Sequence, residues 1–171
     1  MNQDLIFTIF IIHQTNTIMK TLFALTLSIL TYSATAQISF NTGSTQLDAD
    51  LNEINASAEL DFGAFKTDLS LTYDVSENKI EEMKASVGMV AGEIYLALEI
   101  SNLSGISIDE IIALYSENKG KGWGYIAKQA GIKPGSDEFH QLKNNASDKK
   151  NKSKGNSQGK GNGKGNGKGK K

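Results

Sequence analysis

No cysteine occurs in the 171 residues. That excludes a disulfide scaffold, a thiolate metal site, a cysteine nucleophile and a lipid anchor on a lipobox cysteine. A cysteine-free domain of modest size must rely on its apolar core. Arginine is absent as well, because all 18 Lys+Arg positions are lysine. Bidentate guanidinium recognition of guanine or phosphate is therefore unavailable. Only one histidine, His140, follows residue 36. A zinc ion there would depend on carboxylates for its other ligands. A Ser-His-Asp triad would need His140 beside a strained nucleophile on a strand-to-helix elbow, and no such context is legible.

Carboxylates are plentiful but poorly disposed for catalysis. Glu81-Glu82, Asp109-Glu110 and Asp137-Glu138 are adjacent pairs, and neighbours on a helix point about 100° apart. Two of the three pairs sit where a helix begins, and there the helix dipole explains them. No EF-hand loop is present. The reading assigns no catalytic residue, no cofactor and no metal ligand. It expects a protein that is not an enzyme, with a small hydrolase as the remote alternative.

The N-terminal region reads as a targeting segment. From Met19 the chain runs "MKTLFALTLSILTYSATAQ". Lys20, the apolar stretch from Leu22 to Leu30 and Ala34-Thr35-Ala36 match a secretory signal cleaved before Gln37. The apolar run is shorter than the roughly 20 residues of a membrane span. Residues 1–18 contain no basic residue and one acid, Asp4, so they read as a mis-start upstream of Met19 or an extension. The expected location is periplasmic or extracellular.

Charge is segregated along the remainder. Residues 37–147 hold 8 lysines against 17 acids, whereas residues 148–171 hold 9 lysines and only Asp148. The second block, "DKKNKSKGNSQGKGNGKGNGKGKK", has no apolar side chain. It has nothing to bury against its ordering entropy and is expected to be a disordered tail. A flexible chain of that length spans ~25–30 Å, against a gyration radius of ~13 Å for the body. It can reach outward or fold back onto the acidic domain. Lys149, Lys150, Lys152, Lys154, Lys160, Lys164, Lys168, Lys170 and Lys171 are the candidate contacts to an anionic polymer or membrane surface.

Between these ends a pattern repeats. "FKTDLSLTYDVSENKIEEM", "IYLALEISNLSGISIDEIIALY" and "GWGYIAKQAGIKPGSDEFHQL" each read as a helix, a turn and a serine-capped second helix. The caps are Ser76, Ser107 and Ser136, spaced 31 and 29 residues apart, as stacked helical hairpins would be. Glu110 completes a capping box with Ser107, and Ile106 and Ile111 stand at staple positions. Val75 and Ile80 do the same around Ser76. Gly105 and Gly131 supply the positive φ that ends a helix, and Pro134 blocks continuation. In the second unit Ile94, Leu98 and Leu103 are expected to face Ile108, Ile111, Ile112 and Tyr115. In the third, Tyr125, Ile126 and Ala130 are expected to face Phe139 and Leu142. Trp123 is read as a core anchor, with a stacking platform for a base or sugar as the rival.

The first unit is ambiguous. Phe62, Phe65, Leu69 and Tyr73 mark a helix face, while Phe65, Thr67, Leu69, Leu71 and Tyr73 alternate as a strand would. The repeat register favours helix. Upstream, "LDADLNEINASAEL" reads as a short polar helix and Ile38 to Phe40 as an extended lead-in. The expected fold class is all-α: a small bundle of helix-turn-helix-like hairpins over 60–147, a partly ordered lead-in over 37–59, and a disordered tail over 148–171.

The string "KGWGYIAKQAGIKPGS" (121–136), with "EIYLALEI" and "FHQLK" around it, resembles a group of uncharacterised exported bacterial proteins. Those carry a GWGxIAKxxGIKPGS core and often a Lys/Gly-rich C-terminal tail. The likeness covers roughly residues 60–171. It implies a small helical exported protein and carries over no catalytic residue and no ligand.

The hairpins share turn chemistry with DNA readers, but a DNA reader needs a basic recognition helix. "SIDEIIALYSEN" has three acids and no base, and "SDEFHQLKNN" has two acids and one lysine. Sequence-specific DNA binding is not expected. The expected function is a binding module whose basic tail contacts anionic polymers or surfaces, with a possible protein partner for the body. A structural, self-assembling subunit with a merely solubilising tail is the alternative.

Overall fold

The computed structural model describes residues 38–157, and side-chain surroundings as far as residue 153. The expected signal over 19–36, the prefix before it and lysines 160–171 lie outside the described residues. Among the described residues seven α-helices follow one another: α1 (Thr45–Leu60), α2 (Phe62–Tyr73), α3 (Glu77–Ala85), α4 (Ala91–Ser104), α5 (Ile108–Glu117), α6 (Trp123–Gln129) and α7 (Asp137–Ser157). No strand occurs among the described residues. The all-α class is as the sequence implied.

Helix α4 organises the packing. Its stretch Ile94 to Ile100 is buried without interruption. A helix that is apolar all round has to be covered on all sides, and α4 contacts α1, α2, α3, α5 and α7. Ile94 and Leu98 are buried as expected, but Leu96, Ala97 and Ile100 are equally so. The reading of one core-facing stripe was too narrow.

Residues 38–59 contribute to the core rather than forming a partly ordered lead-in. Leu47, Leu51, Ile54 and Ala58 fall at helical spacing on α1 and are all buried. Ser44 caps α1 by accepting from the Leu47 amide at 3.3 Å. Most polar residues of "LDADLNEINASAEL" occupy the other faces, with Asp50 and Asn55 buried beside the stripe, so composition concealed an amphipathic helix. α1 and α4 approach closely at Gly92, where a Cβ would lie 2.7 Å from Phe40 Cζ and 2.8 Å from the Leu51 carbonyl oxygen.

The ambiguous stretch is helical. Asp61 caps α2 by accepting from the Ala64 amide at 2.9 Å, and Asp74 ends it in the left-handed region at φ 52°. Phe65 and Leu69 turn inward, while Leu71, which a strand would have placed beside them, is 81 % exposed.

α2 pairs with α3 and α4 with α5, as the first two capped hairpins require. In the second, Ile111 and Tyr115 are buried, and Leu103, Ile108 and Ile112 are partly buried against the core. The third unit keeps the turn but opens out. The principal neighbours of α7 are α1 and α4, and α6 packs on α5. Ile126, Ala130, Phe139 and Leu142 are buried there, whereas Tyr125 is half-buried beneath the Lys121 ammonium, 4.6 Å from its ring centroid.

α7 also corrects the boundary of the tail. It is helical past the expected boundary at residue 148, so residues 148–153 belong to the folded body rather than to the tail that their composition implied. The stripe Leu142–Ala146 continues at the same spacing into Lys149, Lys150 and Ser153. Those two lysine side chains are only 14 % and 16 % exposed. Their methylene stems cover apolar surface while the ammonium heads find carboxylates. Lysines in the final turns also complement the negative end of the helix dipole.

Helix α1 as part of the core is open to test by denaturant unfolding. Leu51→Ala should lower stability by about 2–5 kcal/mol. Leu60→Ala, at a side chain that is 83 % exposed, should change it by less than ~0.5 kcal/mol.

Candidate functional site

The described end of the basic segment lies against the acidic body. Lys149 pairs with Asp68 on α2, and its ammonium stands 5.3 Å from the Phe65 ring centroid. Lys150 pairs with Asp50 on α1. Asp50 is 1 % exposed. One of its oxygens, Oδ1, accepts from Lys150 and from Gln46 Nε2 at 3.0 Å, while Oδ2 has no hydrogen-bond partner. A carboxylate this deep is costly to leave without a counter-charge. The Lys150 ammonium holds its proton more firmly than usual, because Asp50 accepts a hydrogen bond from it. Lys152 is exposed.

Beside this contact runs a polar cleft of about 260 Å³ between α2, α4 and α7. Glu99 lies in its lining and is 2 % exposed. Its Oε2 accepts from the Tyr73 hydroxyl, and its Oε1 accepts from Asn145 Nδ2 at 2.6 Å. Three helices thus meet on one carboxylate. Burial pushes the Tyr73 phenol far above the ordinary tyrosine range, and the adjacent Tyr95 and Glu99 push it further. The phenol therefore keeps its proton, and donates to Glu99, beyond the pH at which a free tyrosine would lose it. A second depression of about 310 Å³ shares Asp68, Lys149 and Lys152 with the first. The Lys149–Asp68 pair therefore stands between two hollows.

A third cluster explains the GWG motif. Trp123 is 3 % exposed and stacks on Tyr115 with ring centroids 5.2 Å apart. Its Nε1 and the Tyr115 hydroxyl both donate to Glu93, at 3.2 Å. Glu93 also accepts from the Val90 amide at 3.1 Å, closing the start of α4. Burial and the Glu93 charge push the Tyr115 phenol up to about 12. Trp123 is thus a core anchor. The flanking glycines permit contact with the segment before α1. The Trp123 and Gly124 amides donate to the carbonyls of Phe40 and Asn41 at 2.9 Å each. A Cβ on Gly122, whose φ is +82°, would lie 2.5 Å from Asn41 Cβ, and one on Gly124 would lie 2.7 Å from the Thr42 carbonyl oxygen.

The expected caps are in place. Ser76 Oγ accepts from the Lys79 amide at 3.2 Å. Ser107 and Glu110 form the reciprocal box, at 3.3 Å and 3.2 Å. Gly131 takes φ +92°. Ser136 accepts from the Phe139 amide at 3.3 Å. All of these are structural. His140 is exposed on α7. Among the described residues no group of three or more His, Cys, Asp or Glu is placed to hold a metal ion, and no helix is long and apolar enough to cross a membrane.

Asp50 and Glu99 did not emerge from the sequence reading, yet each leaves a trace there. Asp50 sits on the stripe of Leu47, Leu51 and Ile54. Glu99 sits inside the apolar run "EIYLALEI", four residues after Tyr95. A carboxylate at a core position of a helix marks a buried polar contact.

No family model matches the chain, and neither the curated proteins nor the solved structures include a significant match to it.

Two outcomes test this geometry. Gly124→Ala should destabilise the fold by about 1–3 kcal/mol, since the new Cβ meets backbone that has little room to shift; thermal or urea unfolding reads it. Tyr73, Tyr95 and Tyr115 all have raised folded-state pKa values. Above pH ~10 the unfolded chain loses phenolic protons first. Stability should therefore fall as pH rises beyond ~10, and the phenolate absorbance of these residues should grow in step with unfolding.

Proposed function

We propose that this chain is an exported, non-enzymatic interaction module. An acidic helical body carries a lysine-rich C-terminal segment that engages anionic envelope or extracellular polymers, and the body is free to engage a protein partner. The observation that carries this reading is the segregation of charge: 8 lysines against 17 acids over residues 37–147, then 9 lysines against one acid over 148–171. Lysines attract anionic surfaces through long-range fields without base- or geometry-specific contacts, each worth ~1 kcal/mol near such a surface. The export reading rests on the segment from Met19 to Ala36 and on the likeness of "GWGYIAKQAGIKPGS" to exported proteins.

The caps, the GWG contacts and the Tyr73–Glu99–Asn145 network all have structural explanations, which favours binding over catalysis. A second reading, a self-assembling subunit, draws on Leu60 and Leu71, which are 83 % and 81 % exposed. Sedimentation of Leu60→Ser/Leu71→Ser separates the two readings. Loss of self-association supports assembly, and a monomeric wild type overturns it.

The binding reading is tested by titrating the purified protein with heparin, a sulfated polysaccharide, at a series of salt concentrations. Affinity should fall steeply, by about 10³-fold or more between 50 and 200 mM salt for six or more engaged lysines. Deleting residues 158–171 should abolish most of the binding. Salt-independent binding, or binding that survives the deletion, overturns the reading.

A further inference from the structure

The last turns of α7 are held by contacts that the basic segment would otherwise offer outward. Residues 148–157 have no apolar side chain, yet they are helical. The inward positions after Ala146 are Lys149 and Lys150, and each ends on a carboxylate of a different helix, Asp68 on α2 and Asp50 on α1. The two partners differ in character. Asp68 is exposed, whereas Asp50 is buried and has one oxygen without a hydrogen-bond partner. Pulling Lys150 away would strand a buried charge. The reverse is mild, because Lys150 can swing its flexible stem to water.

We propose that the acidic body is an intramolecular competitor for its own basic segment: Asp50 and Asp68 withhold Lys150 and Lys149 from polyanions, so that the lysines available for binding begin at Lys152. The contact is a latch. A polyanion that engages only the distal lysines leaves α7 docked. One that also captures Lys149 and Lys150 must unpair Asp50 and loosen the last turns of α7 from α1 and α2. The body thereby sets an upper limit on how tightly the segment binds, and removing two carboxylates relieves that limit.

This inference rests on the binding reading above, but the latch has a readout of its own. Amide hydrogen exchange over residues 147–157, without any polymer, should show protection in the wild type. Asp50→Asn/Asp68→Asn should lose that protection while keeping the far-UV spectrum of the body. Heparin affinity of the double variant should rise by roughly 5- to 25-fold, for two lysines released. Its plot of log affinity against log salt should steepen by about 1 to 2 units. Adding Lys149→Ala and Lys150→Ala to the double variant should return both values to those of the wild type. A control with the same change of charge, Asp74→Asn/Glu117→Gln, removes exposed acids that do not touch α7 and should leave the slope unaltered. Equal exchange in wild type and double variant overturns the latch, whether or not heparin binds. An unchanged slope, or a control that shifts as far as the double variant, overturns the competition. Intact protection with no heparin binding by the wild type overturns the competition and the binding reading together, and leaves the latch standing.

Discussion

A helix with no polar face cannot meet water, and α4 is such a helix. From Ile94 to Ile100 every side chain is buried, so the chain has to supply neighbours all around it. The two local hairpins provide α5 and α3. The remaining sides are closed by elements distant in sequence, α1 from before residue 60 and α7 from after residue 136. Both closures need special local chemistry. α1 comes close because residue 92 has no side chain to collide with the Leu51 carbonyl. α7 docks because Asn145 reaches Glu99 and Ala146 is small enough to be fully buried.

Buried or half-buried carboxylates recur where helices from different parts of the chain converge. Glu99 joins α2, α4 and α7, Glu93 joins α4, α5 and α6, and Asp50 joins α1 and α7. Apolar contacts hold such helices together but tolerate sliding and rotation. A carboxylate that must be satisfied by particular donors fixes the register. The first two are satisfied by neutral donors: phenols, an indole, an amide. The third alone uses lysine, pairing charge with charge, and its burial shields it from salt better than the Lys149–Asp68 pair beside it. The same domain thus joins its helices through two carboxylates held by neutral donors and one held by a lysine.

Features governed by local rules were legible in the sequence. Ser76, Ser107 and Ser136 opened helices because capping depends on three or four consecutive residues. Gly131 and Pro134 ended one for the same reason. The spacing of Phe62, Phe65, Leu69 and Tyr73 identified α2 once repeat register was weighed against alternation. What failed was inference from bulk composition. "LDADLNEINASAEL" is polar on average, yet Leu47, Leu51, Ile54 and Ala58 align on one side. "DKKNKSK" has no apolar atom beyond its lysine stems, yet the stems of Lys149 and Lys150 continue the stripe set by Leu142 and Ala146. The pairing of α7 with α1 joins residues a hundred positions apart, Asp50 to Lys150, and no local pattern encodes that. The glycines of GWG were visible as a motif, but their reason lies in the backbone of residues 40–42.

The chain's one tryptophan lies where the start of the described chain, α5 and α6 meet. Its indole is shielded from water, stacked on a phenol and bonded to a carboxylate. Fluorescence from this residue is therefore a single-site optical reporter of that junction. Undocking of the Phe40–Thr42 segment would hydrate the ring and redden its emission, even if the far side of the bundle, where α7 rests on α1, had not changed. Optical and exchange measurements on one unmodified protein would then follow its two ends separately.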